Sequence, residues 1–319
     1  MPLIRVVAVL WLVSWGIAHG QGWPTRQVTL VVPFPPGGST DVAARALSDH
    51  LSRALGQPVV VENRGGGGGA VGTAEVAHAK PDGYTILFGA NAITLLHLAT
   101  KNLPYDTLRD FVAVTQVTTQ PNAIAVHPSL PVNSIQELLA YARANPGKLS
   151  YAHPGEGTSQ HLTAERLWKL AGVNLVGVPY RGGGQAIKDL VGGHVQVAVL
   201  GSTPLMPQHQ AGTVRILAFT SKQRFEQMPE IPTLSDAGFA EFDSTQWLGL
   251  LAPRGTSPDV VQRLYIETAK ALALPSVKDQ LTKAALQPVG STPEQFSAVI
   301  RKEVDYWGKA AQELGIEPQ

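Results

Sequence analysis

The sequence predicts an α/β protein of two doubly wound lobes, joined by a hinge where the chain crosses between them twice. Three observations carry that expectation. The 319 residues exceed one ordinary core of ~100–150 residues. Strand, loop and helix signals alternate in two separate series, the pattern of mostly parallel sheets covered by helices. The end of the chain is helical with few strands nearby, so its apolar stripe needs a sheet made earlier.

The first series opens at Val28–Val32, a β-branched run that stops at Pro33. A Pro/Gly loop leads to a helix with Ala43, Leu47, Leu51 and Leu55 on one face, ended by Gly56. Val59–Val61 is the next strand. The glycine run Gly65–Gly69 precedes a helix from about Val71 to Ala79, and Pro81-Asp82-Gly83 turns into the strand Thr85–Phe88. The second series has strands at Ala123–Val126, Lys148–Ala152, Val173–Val178, Gln196–Leu200 and Arg215–Thr220. Its helices are Ser134–Ala144, Thr158–Ala171 and Gln185–Val191.

Ser257-Pro258-Asp259 reads as an N-cap, a first-position proline and a first-turn acid. Thr292 and Gln295 form a capping box. The last helix then carries the stripe Phe296, Val299, Val304, Trp307, Ala311 and Leu314, and Gly315 stops it. Packing these helices on the first sheet puts the crossings near residues 119–122 and 244–250. The expected division is 24–120 with 245–319 in lobe one, and 121–244 in lobe two.

Hydrophobic residues make up 44% and charged residues 15%, which suits a compact protein rather than a disordered one. The formal charge of +1 supplies no field for nucleic acid or anionic lipid. With no cysteine, disulfides, thiolate chemistry and cysteine-ligated zinc are excluded. Residues 1–20 read as a signal peptide: Arg5, an apolar run Val6–Ile17, and Ala18-His19-Gly20 before a cleavage at Gln21. The run is shorter than the ~20 residues a bilayer span needs. Export is the expectation, and removing Arg5 leaves the mature chain formally neutral.

Three loops share one physics. They are Pro33–Asp41, His153–His161 and Pro179–Gln185, each following a strand and opening a helix. Helix N-termini carry unsatisfied N–H groups and partial positive charge, and glycine lets a ligand approach the backbone. Ser39, Thr40, Thr158 and Ser159 add hydroxyl donors. The loops are split between the lobes, so they can grip both ends of one anion. Neither GxGxxG nor GxxxxGK[ST] is present, which argues against nucleotide phosphate. Asp41 either orders its loop or meets a ligand ammonium or hydroxyl. Arg181 either pairs with a carboxylate or lies in solvent.

Enzyme readings fare poorly. An exported hydrolase or transferase would use Ser159 or Ser39. Gly157-Thr158-Ser159-Gln160-His161 lacks the small fifth residue of a nucleophile elbow, and no base is suitably placed. His161 reads instead as a hydrogen-bond partner at the helix start. The nine histidines show no metal-binding spacing, so no metal or cofactor is expected.

Several motifs then occur in order: Pro33-Phe34-Pro35-Pro36-Gly37-Gly38-Ser39-Thr40-Asp41, Val61-Glu62-Asn63-Arg64-Gly65-Gly66 and Pro81-Asp82-Gly83-Tyr84-Thr85. Leu103-Pro104-Tyr105-Asp106, Val178-Pro179-Tyr180-Arg181-Gly182, Ile231-Pro232-Thr233 and Leu251-Ala252-Pro253 follow. With these the chain resembles the substrate-binding receptors of tripartite tricarboxylate transporters, the Bug-type receptors, over nearly all its mature length. The resemblance implies a type II periplasmic-binding-protein fold, a periplasmic monomer, a small organic acid as ligand and membrane permease subunits as partners. A sensory module serving a membrane kinase would use the same closure.

The resemblance implies Gly37, Gly38, Ser39 and Thr40 of the first loop as ligand-binding residues, and the candidate set adds Phe34 and Asp41 from that loop. Asn91 follows the third strand. Gly157, Thr158, Ser159 and His161 come from the second loop, and Arg181, Gly182 and Gly183 from the third. Ser202 stands where relatives often place an acid. Departures from the pattern are Gly201-Ser202 itself, Glu156 beside the anion site, the long glycine run and Ala92-Ile93-Thr94. A less polar cleft edge favours a monocarboxylic or aromatic acid.

Overall fold

A computed structural model describes residues 22–240 and 242–314. The expected signal peptide at residues 1–20 and the stop at Gly315 lie outside the described residues. The chain runs β1 (Val28–Val32), α1 (Ser39–Leu55), β2 (Val59–Asn63), α2 (Ala70–Ala77), β3 (Thr85–Ala90), α3 (Ala92–Leu95), α4 (Thr107–Asp110) and β4 (Phe111–Val126). Next come α5 (Ile135–Ala144), β5 (Ser150–His153), α6 (Ser159–Ala171), β6 (Val176–Pro179), α7 (Gly183–Val191), β7 (Val197–Gly201), α8 (Ser202–Gln210) and β8 (Arg215–Phe219). The return consists of β9 (Thr245–Pro253), α9 (Pro258–Ala273), α10 (Pro275–Lys283), β10 (Gln287–Pro288) and α11 (Pro293–Leu314).

One sheet has the order β2-β1-β3-β9-β4, with β1 parallel to β2 and β3, and β9 antiparallel to β3 and β4. The other has the order β6-β5-β7-β4-β8. Strand β4 belongs to both. It pairs with β9 from Phe111 to Pro121, and with β7 from Asn122 to Val126. The β9 end of this ladder is Thr245, opposite Pro121, so both crossings lie side by side.

Local chemistry explains the helix boundaries. Gly56 closes α1 in the left-handed conformation at φ 70°, where its N–H reaches Ser52 O. The Ser257 hydroxyl accepts from Val260 N, and Thr292 and Gln295 exchange the reciprocal bonds of a capping box at 3.0 and 3.3 Å. Several elements differ from the sequence expectation, among them β9, which lies between β3 and β4 and was not expected as a strand. Strand β4 extends over 16 residues, and its first half escaped because two register shifts, at 113–115 and 116–118, break the alternation that would betray it. Helix α8 was hidden by Pro204 and Pro207; the first falls in the opening turn, where its missing N–H would have no helical acceptor anyway.

Each lobe buries its own core. Leu30, Leu47, Ile86, Phe88, Leu250 and Leu264 pack in lobe one, and Ile124, Leu138, Leu167, Trp168, Val199 and Phe242 in lobe two. The last helix docks on lobe one through Phe296, whose ring meets Trp247 edge-on at 4.9 Å and occupies the space a side chain on Gly249 would need. Val299 of the predicted stripe is exposed. Phe296→Ala should therefore cost about 3–5 kcal/mol in urea unfolding, whereas Val299→Ala should cost under about 1 kcal/mol. Equal, small costs would mean that α11 is not anchored through this ring.

Candidate functional site

The parallel strands of both sheets, β1 to β3 and β5 to β7, point their carboxyl ends at the space between the lobes, where α1, α6, α7 and α8 begin. Their loops enclose a cavity of about 30 Å³, room for about two waters. Phe34, Gly38, Ser39, Thr40, Pro154, Thr158, Gln160, Gly183, Gly201, Pro204 and Gln246 line it. No charged side chain is among them. A larger groove of about 730 Å³ is bounded only by residues of α11, the flank of a single helix without an opposing wall.

The four helix starts differ in how their N–H groups are satisfied. Thr158 caps α6: its hydroxyl accepts from His161 N at 3.4 Å and donates to Gly155 O at 2.7 Å. At α8, the N–H and hydroxyl of Thr203 and the hydroxyl of Ser202 all donate to Gln120 Oε1. Helices α1 and α7 have no side-chain cap at all. They face each other across the cleft. A Cβ on Gly184 would stand 2.9 Å from Pro36 O and 3.3 Å from Gly38 N. Farther along the rim, a Cβ on Gly68 would stand 2.6 Å from Glu156 O, so glycine also permits contact between the lobes there.

Of the predicted residues, Phe34, Gly38, Ser39, Thr40, Thr158 and Gly183 meet at this cavity. The others do not line it. Asp41 accepts from Gly37 N, Arg45 Nε and Asn63 Nδ2 at 2.9–3.0 Å, so it orders the first loop. Burial opposes its ionisation, but those three donors outweigh it and hold the carboxyl below the usual range. Asn91 is turned away. Its Nδ2 donates to Glu303 Oε1 at 2.9 Å and to Thr245 O. Glu303 also accepts from Thr94 and Trp247, and burial pushes its carboxyl up to about 7 against those bonds. Gly157 spends its N–H on His161 Nδ1, and the buried Ser159 hydroxyl turns to Gln160. Arg181 is exposed and has no partner among the described residues. Gly182 is pressed against Pro35, and Ser202 serves the start of α8. Pro154, Gln160, Gly201, Pro204 and Gln246 were missed. Gly201 and Pro204 lie at a helix the sequence concealed, and Gln246 is brought in only by strand register.

Behind the second loop, His153 and His161 stack at 4.4 Å, and Glu156 lies 3.1 Å from His161 Nε2 and 3.6 Å from His153 Nε2. His161 accepts at Nδ1, so its neutral ring carries the proton on Nε2, facing Glu156. That nitrogen then has no lone pair to offer an ion. Burial lowers the pKa of both rings, to about 4 for His161; its neighbour lowers His153 further while Glu156 opposes.

Residues 43–316 match the family described as Tripartite tricarboxylate transporter family receptor. The chain belongs to that family. The receptor is 34% identical over 325 residues to the protein BugT of Bordetella pertussis, covering 99% of each chain. Its fold matches the R. palustris protein Rpa4515 with adipate at a TM-score of 0.90 and 35% identity, over 93% of this chain and 100% of that one. It matches MatC of Rhodopseudomonas palustris with bound malate at 0.87 and 30% identity, over 91% and 100%. The architecture is therefore the type II periplasmic-binding-protein fold, and the family is one of substrate-binding receptors, not enzymes.

The stacked histidines have a consequence for stability. With folded pKa values below the ordinary 6.5, the unfolded chain takes up more protons as pH falls from 6.5 toward 4, so these rings lower stability through that window. Melting curves between pH 7.5 and about 4.5 should show His153→Phe losing less stability on acidification than wild type. Parallel curves would mean that the rings are charged in the fold.

Proposed function

We propose that the receptor captures a small organic carboxylate between its lobes in the periplasm and delivers it to the membrane permease subunits of a tripartite transporter. The observation that carries this is the pair of uncapped helix starts, α1 and α7, facing each other from opposite lobes around an uncharged cavity. Each carries roughly half a positive charge at its N-terminus, so their approach favours an anion between them. The relatives with bound adipate and malate support a carboxylate as that anion.

In this reading the ligand carboxylate accepts from the first-turn amides of both helices and from the hydroxyls of Ser39 and Thr40. The division expected from the sequence, 24–120 with 245–319 against 121–244, would let the two lobes turn about the paired crossings. A cavity of about 30 Å³ is smaller than any organic acid, so the lobes part to admit the ligand and close around it. Closure excludes water and lowers the local dielectric, which strengthens each amide–carboxylate bond.

The protein, stripped of ligand by unfolding and refolding, is screened by thermal shift against di- and tricarboxylates, aromatic acids, acidic amino acids and neutral sugars. A saturable shift with one acid class and no turnover is expected, worth ~2.7 kcal/mol at a hundredfold excess over Kd. A response to sugars alone would overturn the reading. Gly184→Ala should weaken acid binding about tenfold, ~1.4 kcal/mol, because its methyl meets the first loop only when the lobes close; the ligand-free melting temperature should not change. Unaltered affinity would mean that the two helix starts do not clamp the ligand.

A further inference from the structure

At the floor of the cleft, Gln120 of β4 and Gln246 of β9 stand opposite each other in the strand register. Neither amide is free to turn over. The backbone N–H of Thr203 can only donate, and it donates to Gln120 Oε1 at 3.1 Å. The hydroxyls of Thr203 and Ser202 join it at 2.8 and 3.1 Å. Gln120 must then present its amide nitrogen to Gln246, and the atom that meets it at 2.5 Å must be the carbonyl oxygen of Gln246.

This leaves the NH2 of Gln246 without an acceptor among the described residues. The residue is only 8% exposed, and its side chain lines the cavity beside Ser39, Thr40 and Gln160. An unpartnered amide donor, held in one orientation on a residue more than nine-tenths buried at the wall of a binding cavity, is placed to meet an acceptor on the ligand. No carboxylate side chain lines the same cavity. Asp41 is taken by Gly37 and Arg45, and Glu156 faces His161. A ligand ammonium would therefore meet the Gln246 donor with no counter-charge.

We infer that Gln246 is a specificity-determining residue that donates to a second oxygen-bearing group of the bound acid and disfavours its amino counterpart. The inference rests on the carboxylate-receptor reading and adds the floor contact to the helix-end contacts. The fixed chain of donors and acceptors runs from the start of α8 through Gln120 to Gln246. The polarity of the floor is thus set by lobe-two backbone and read out on a lobe-one strand.

Calorimetric titration of wild type, Gln246→Leu and Gln246→Glu tests this. The probes are succinate, butyrate and aspartate, and adipate, hexanoate and 2-aminoadipate. Wild type should bind the dicarboxylate at least about tenfold more tightly than its monocarboxylate or amino partner. Gln246→Leu should lose about tenfold toward the dicarboxylate and change less than about threefold toward the monocarboxylate. Gln246→Glu keeps an acceptor for Gln120 and turns its second oxygen into the cavity. It should bind the dicarboxylate more weakly still and favour the amino acid relative to it, a reversal that misfolding does not produce. If both variants retain wild-type preferences, or Gln246→Leu weakens all acids equally, the role of Gln246 is overturned. If wild type binds none of these acids and no acid of the wider thermal-shift panel stabilises it, the carboxylate-receptor reading itself falls.

Discussion

Two positive helix ends do not approach one another without a cause, and the placement of α1 against α7 is the constraint around which this molecule is organised. Neither end is capped by a side chain, so both keep donors directed at the cleft. The surrounding structure holds them there. Asp41 keeps the first loop in place through Gly37, Arg45 and Asn63, and it stays ionised in doing so. Gly184 allows the close approach, since any side chain there would strike Pro36 and Gly38. The field at the cleft therefore comes from backbone alone, with no lysine or arginine lining it.

The hinge is equally polar. Gln160 Nε2 reaches Asn122 Oδ1 at 2.9 Å, Asn122 bonds Ser244, and Ser244 shares a proton with Thr163 at 2.7 Å. Thr220 ties the same region through Asn122 O and Ser244 O. These buried bonds are directional, and they gather where β4 and β9 leave one sheet and enter the other. Apolar packing at this point would tolerate sliding, whereas paired donors and acceptors fix one register. That register is what brings Gln246 to the cleft floor.

Much of this was legible in the sequence, for a local reason. A strand followed by a glycine loop and a helix start is a short pattern, so Gly38, Ser39, Thr40, Thr158 and Gly183 could be read from their neighbours. The parallel strands β1, β2, β3, β5, β6 and β7 and most helices between them followed from the same alternation. What escaped depends on distant partners. Asn91 looks available beside β3 until Glu303, 212 positions later, takes its amide. Gln246 carries no local mark, because its meaning comes from Gln120, which lies 126 positions away. Ser202 and Arg181 lie outside the cavity lining for opposite reasons: the first bonds Gln120 at its own helix start, and the second is exposed.

The strand order of lobe one bears on how the chain is made. Strand β9 lies between β3 and β4, so that sheet has a gap until residue 253 has left the ribosome. Lobe two, drawn from one continuous stretch, faces no such delay apart from sharing β4. During synthesis the N-terminal segments β1 to β3 therefore wait, unpaired along one edge, for a strand encoded more than a hundred residues downstream. The portion of the chain made first is thus the last to complete its sheet, and the free edge of β3 stays open for most of synthesis.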